Sequence, residues 1–246
     1  MNWGHWVNLT DYTPFGLITF GIGCAGWLVV YVIVIRDMLK KHTLEIPIGA
    51  ICSNFAWEIY WGLGMFNSSG EGPFRKTDMG LLFQWAYFLW FFFDVFVVVL
   101  ALKYGRSQMT TPASKKYYYF QVLGLFAVWM SMFYFFIPEF DDSFGALTGF
   151  GINTYMSILY IFQKFKQPET FGMSKLVAWC KFISTGLCTF VCFERFIKDG
   201  QVVAGHHTTL YFCIAFAVVD LAFIYIVCSG ELKLLSKEFK IQTTDV

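Results

Sequence analysis

Seven apolar runs, each near 20 residues long, alternate with short polar connectors along almost the whole chain, at about 15–35, 45–65, 80–102, 117–137, 144–163, 175–197 and 208–228. A helix needs about 20 apolar residues to cross the hydrocarbon core of a bilayer. The pattern therefore predicts an all-α integral membrane protein, one bundle of seven transmembrane helices over residues 1–246. Breakers and charges fill the connectors: Arg36 to Thr43, the Asn67-Ser68-Ser69-Gly70-Glu71-Gly72-Pro73 loop, Gly105 to Lys116, Pro138 to Ser143, Gln167-Pro168 and Asp199-Gly200. None is long enough to hold a second domain.

Basic residues set the orientation, because cytosolic connectors are enriched in Lys and Arg. Of the 18 such residues, 13 fall in connectors one, three and five with their flanks and in the tail, whereas Arg75, Lys76, Arg195 and Lys198 flank the other side and the first fourteen residues hold none. The amino terminus is expected outside or in a lumen, and the carboxyl terminus in the cytosol. Such a multi-pass protein belongs in the endoplasmic reticulum of a eukaryote or the plasma membrane of a bacterium. Without a basic n-region, the first span reads as a retained anchor. The two halves share no common spacing of carboxylates and tryptophans, which disfavours a transporter built on repeats.

Ionisable residues inside a span are functional hypotheses by default. Span two places Asn54, Trp57, Glu58 and Trp61 at i, i+3, i+4 and i+7, one helix face, so Glu58 is expected to look into the bundle. Asp94 follows Trp90-Phe91-Phe92-Phe93 on span three, and Asp220 lies within span seven. Desolvation disfavours the charged form of a carboxyl group, so an acid in a dry bundle can stay protonated and donate a proton. The plainer role is a hydrogen bond that ties helices together. Asn153 on span five is a candidate for orienting a carboxyl group or a substrate oxygen, with Gln84, Ser184 and Tyr225 as weaker polar candidates. Lys181 lies about six residues from the cytosolic end of its span, close enough to snorkel outward. Glu194 and Arg195 read as an interfacial ion pair and His206-His207 as exposed loop surface. With no histidine mid-membrane and all seven cysteines inside apolar runs, neither haem, zinc nor a disulfide is expected.

Composition changes this picture in one respect. Phe, Tyr and Trp make up 21% of the chain, and 30 Phe, 13 Tyr and 9 Trp are more than two interfacial belts require. Many rings must line the interior. Ring faces attract cations without reacting as bases, so an aromatic cavity with a protonated carboxylic acid suits cation-driven cyclisation of a polyene. Trp57 and Trp61 flank Glu58, and Tyr60, Trp85, Trp90, Trp129 and Phe223 are further candidates for stabilising a cation. The net charge of +1 says nothing about nucleic acid, and no nucleic-acid partner is expected. Apart from Asp141-Asp142, which Glu139 precedes, no acidic stretch suits magnesium on a diphosphate, and no metal or organic cofactor is expected.

The Asn54-Phe55-Ala56-Trp57-Glu58 element, the Trp90 to Asp94 stretch, Ala178-Trp179-Cys180-Lys181-Phe182 and Asp220 together resemble a known family. This is the small seven-span, non-squalene-type terpene cyclases of fungal meroterpenoid and indole-diterpene pathways, with their bacterial relatives, and the resemblance covers essentially the whole chain. It implies that Glu58 and Asp220 are essential acids of a class II type cyclisation, followed by Asp94. The implied substrate is a lipophilic prenyl chain on a polar head group, protonated at a terminal epoxide or alkene and reached from membrane lipid. On this reading Glu58 is the proton donor and Asp220 its partner across the bundle. A seven-helix small-molecule transporter or receptor is the alternative, and a retinal protein linked through Lys181 a more distant one.

Overall fold

A computed structural model describes residues 3–67, 74–140, 142, 144–166 and 174–229. The loop at 68–73, Asp141, Gln167-Pro168 and the basic residues of the tail lie outside the described residues. Among the described residues, seven α-helices occupy the predicted runs: α1 (Pro14–Lys41), α2 (Ile48–Gly62), α3 (Leu81–Tyr104), α4 (Pro112–Phe136), α5 (Ala146–Lys166), α6 (Lys175–Phe196) and α7 (His207–Ser229). Local chemistry sets several starts, because a Ser or Thr side chain satisfies amide groups that lack a helical partner. Thr13 accepts from the Gly16 amide, Ser174 from Val177, and Thr111 forms a reciprocal box with Ser114. A two-stranded antiparallel hairpin, β1 (Ile197–Lys198) and β2 (Gln201–Val202), supplements the expected helices. Its turn is Asp199-Gly200, with φ of 51° and 76°, the positive values that a two-residue hairpin turn needs.

Among the described residues, five segments are long and apolar enough to cross a membrane: Pro14–Lys41, Leu81–Gln108, Pro112–Glu139, Lys175–Phe196 and His207–Ser229. The two helices that fall short are α2 and α5. Helix α2 has only 15 residues before it tightens into a 3₁₀ turn at Leu63–Phe66, and α5 carries Thr148, Asn153, Thr154 and Ser157. Helix α2 falls short by its length, and most of its residues are buried in the bundle.

The helices close a ring. Helix α1 packs on α6 and α3, α6 on α7, α7 on α5, α5 on α2, and α2 on α3, while α4 packs on α2 from outside. Large apolar side chains such as Ile18, Phe92, Phe120, Phe135 and Val218 are exposed on the outer surface. Hydrocarbon solvates such a surface and water does not. At the α6 end two expectations are corrected. Arg195 pairs with Asp78 at 2.9 Å, not with its neighbour Glu194, which accepts from Thr13. His206 is buried, stacked 3.8 Å from the Phe196 ring, and is not loop surface.

Candidate active site

Inside the ring lies a cavity with about 570 Å³ of empty space, the open space at its mouth included. Five helices reach it. Phe20, Trp27 and Tyr31 come from α1, Asn54, Trp57 and Glu58 from α2, Tyr87 and Trp90 from α3, Phe150 and Asn153 from α5, and Thr185 and Cys188 from α6. Trp57, Tyr87 and Trp90 form a triangle of rings. Their centroids are 5.3 Å (Trp57–Tyr87), 5.4 Å (Tyr87–Trp90, stacked) and 6.4 Å (Trp57–Trp90) apart.

These rings are held in place by their polar edges. Trp57 Nε1 donates to Thr148 Oγ1 at 2.9 Å, and that hydroxyl donates to Asp142 Oδ2 at 2.6 Å. Asp142 also accepts from the Leu147 and Thr148 amides at the start of α5, an arrangement that favours a negative group at a helix amino terminus. Burial pushes the Asp142 carboxyl above the ordinary carboxylate range, against the pull of the Thr148 and Leu147 hydrogen bonds. Gly145 has φ of 76°, and a Cβ there would run into the Trp57 ring, so the backbone can approach the indole only as glycine. Tyr87 donates to the Phe144 carbonyl at 2.7 Å and Trp90 to the Cys24 carbonyl at 3.3 Å.

Among the described residues, three polar atoms on this aromatic wall are buried without a hydrogen-bond partner: Glu58 Oε2, Asn153 Oδ1 and Thr185 Oγ1. Glu58 is only 2% exposed. One turn away, the Asn54 amide nitrogen donates to Tyr31 Oη and to Asp94 Oδ2, both at 2.8 Å. Asp94 thus stands behind Asn54 and lines a second, smaller cavity with Tyr31, Met156 and Tyr160. The site offers an acid with one oxygen unengaged, cation-attracting rings around it, and a second acid one residue removed.

The other expected residues take different places. Asp220 does not meet Glu58. It accepts two hydrogen bonds from Lys181 Nζ, at 2.7 and 2.8 Å, and one from Ser157 Oγ. Lys181 is 1% exposed, so it does not snorkel. The reason is the helix order, since α7 packs on α5 and α6 and never reaches the cavity wall. Phe223, also on α7, stacks on Tyr160, and Trp129 on α4 packs against Phe133 and Tyr155. Trp61 is fully buried behind Trp57, and Tyr60 packs on Trp61, facing a depression with Tyr134 and Pro138. Trp85 is 48% exposed on the outer face of α3. Of the twelve candidates, Asn54, Trp57, Glu58, Trp90 and Asn153 line the cavity.

Sequence reasoning missed Tyr31, Tyr87, Thr185 and Asp142. The spacing of Phe83, Tyr87 and Trp90 on one face of α3 carries a signal for Tyr87. Asp142 stands shortly before an apolar run, where an acidic residue signals a helix start. Nothing local distinguishes Thr185 from its neighbour Ser184.

A family model described as Pyr4-like transmembrane terpene cyclases matches residues 14–230. Among curated relatives, the Pyr4-family terpene cyclase mfmH of Annulohypoxylon moriforme is 23% identical over 219 residues, covering 85% of each chain. Terpene cyclase ascF of Acremonium egyptiacum is 26% identical over 94 residues, 38% of this chain and 30% of that protein. Terpene cyclase cle7 of Aspergillus versicolor is 26% identical over 121 residues, 46% of each. No solved structure matches.

Proposed function

We propose a reaction for this chain, which belongs to the family of Pyr4-like transmembrane terpene cyclases: Glu58 protonates the end of a prenyl chain and the aromatic cavity guides the cyclisation that follows. The observation that carries this reading is the unpartnered Glu58 oxygen on the wall of a cavity built from Trp57, Tyr87, Trp90, Trp27 and Phe150. The Glu58 proton passes to the oxygen of a terminal epoxide, and the bond from that oxygen to the more substituted carbon breaks. Its electron pair stays on oxygen as a hydroxyl group. The resulting cation takes the π electrons of the next alkene, so a carbon–carbon bond forms and the charge moves on. Loss of a proton ends the cascade, and the product is an isomer of the substrate. For a bare alkene terminus the same proton adds to carbon.

The rings stabilise the migrating charge, a contribution of about 2 kcal/mol per well-placed face where water is excluded. Asn54 links the Glu58 helix to Asp94 and Tyr31. Asp220 supports the site from α7, because its ion pair with Lys181 and its bond to Ser157 tie together α6 and α5, the helices that carry Thr185 and Asn153. The substrate is a lipophilic prenylated molecule that arrives from the bilayer, and the chain spans the membrane seven times with its amino terminus outside or lumenal and its tail cytosolic. Thirteen basic residues on one side support that orientation. The test is to feed microsomes carrying the protein with farnesyl and geranylgeranyl aryl substrates, each with and without a terminal epoxide. A cyclised isomer of unchanged mass is expected from at least one. Unchanged substrate throughout, with uptake of a polar solute into proteoliposomes, would favour a transporter.

A further inference from the structure

We propose that Thr185 and Asn153 hold the substrate oxygen that Glu58 protonates, which makes the cavity selective for a chain that ends in oxygen. This rests on the proposed cyclase reading and names two positioning residues within it. Buried polar groups almost always find a hydrogen-bond partner, and each exception calls for an explanation. Here Glu58 Oε2, Asn153 Oδ1 and Thr185 Oγ1 are exceptions that converge on one cavity from α2, α5 and α6.

Thr185 has an easy alternative that it does not take. A Ser or Thr within a helix can donate to a carbonyl three or four residues back. Thr19 does so to Gly16, Ser53 to Ala50, Thr154 to Phe150, Ser157 to Asn153 and Thr189 to Gly186. Thr185 is 2% exposed and makes no such bond.

The donors and acceptors match one kind of ligand. An ether-type oxygen has two lone pairs, one for the Glu58 proton and one for the Thr185 hydroxyl. After the carbon–oxygen bond breaks, that oxygen is a hydroxyl with a proton of its own, and Asn153 Oδ1 accepts it. A hydrocarbon terminus would leave all three groups desolvated and unpaired. Sites built to hydrogen-bond a substrate oxygen reject the analogue without it for this reason.

The experiment measures binding, so it is independent of turnover. Protein in lipid nanodiscs is titrated with a farnesyl acetate hydroxylated at its terminal carbon and with plain farnesyl acetate, following quenching of tryptophan fluorescence; geranylgeranyl counterparts extend the chain length. The wild type is expected to prefer the hydroxylated ligand. Thr185→Val and Asn153→Leu should each cut that preference by about three- to tenfold, the worth of one hydrogen bond. Thr185→Ser should restore it. A preference unchanged in both variants would overturn the proposal, and so would an equal loss for both ligands, which marks a packing role. If Glu58→Gln keeps full turnover while the preference collapses as stated, the acid assignment fails and the oxygen clamp stands.

Discussion

Replacing Lys181 by Met should be among the most damaging single changes in the chain. Its ammonium group sits 2.7 and 2.8 Å from the two Asp220 oxygens and 2.6 Å from Ser157 Oγ, and both charged residues are 1% exposed. Removing one partner of a buried ion pair strands the other, at a cost of about 3–5 kcal/mol. A folded domain commonly has only about 5–15 kcal/mol in hand. Replacing both members with apolar residues removes the stranded charge, and such exchanges are often neutral or stabilising. Lys181→Met with Asp220→Leu is therefore expected to be more stable than either Lys181→Met or Asp220→Leu alone. Without Asp220, the Ser157 hydroxyl can turn its proton to the Asn153 carbonyl 2.8 Å away. The assay is unfolding by SDS in mixed micelles, followed by circular dichroism, alongside cyclised product per folded protein. If Asp220 acts by holding α5, α6 and α7 together, the double variant regains activity along with stability. A Lys181→Met protein as stable as the parent, or a double variant no better than the singles, would refute the reasoning.

Trp90→Leu removes one face of the ring triangle, and by the 2 kcal/mol scale for a desolvated cation–ring contact it should slow cyclisation by about 30-fold and release partly cyclised or hydrated products visible by mass spectrometry. Asn54→Leu deletes both hydrogen bonds to Tyr31 and Asp94, which should cost about 1–3 kcal/mol in the same micelle assay. Asp142 adds a pH dependence: burial raises its folded value, so its contribution is full below its unfolded value near 4 and is lost as pH rises through the raised folded value. Parent protein should therefore lose stability across that rise more steeply than Asp142→Asn, as thermal midpoints over a pH series would show.

The helices were legible because apolar length is a local signal. The run read at 80–102 is Leu81–Tyr104 and that at 175–197 is Lys175–Phe196. Ends drifted where polar residues stay helical: α1 carries on through Arg36, Asp37 and Lys40, and α4 begins early, at Pro112, under its Thr111 cap. Glu58 was legible too, since a carboxylate on one helix face with Asn54, Trp57 and Trp61 is cheapest turned inward, and it is buried there. What composition and spacing do not encode is which helices are neighbours. Asp220 and Lys181 were each recognisable as costly, yet their pairing follows from α7 lying against α6 and α5. The same ring order removes Trp129 and Phe223 from the cavity and brings in Tyr31 and Thr185. Asp142 was noted only as an exception to the lack of acidic stretches suited to magnesium, although its position before α5 already suited a helix-capping role.

The central claim is that Glu58 is the acid. Glu58→Gln keeps the shape of the side chain and the packing of α2 but cannot supply the proton. Single-turnover formation of the cyclised isomer, compared with the parent at equal folded protein in the same membranes, should fall by about 100- to 10,000-fold, the usual worth of a general acid. Formation of the normal product at the parent rate would contradict the account.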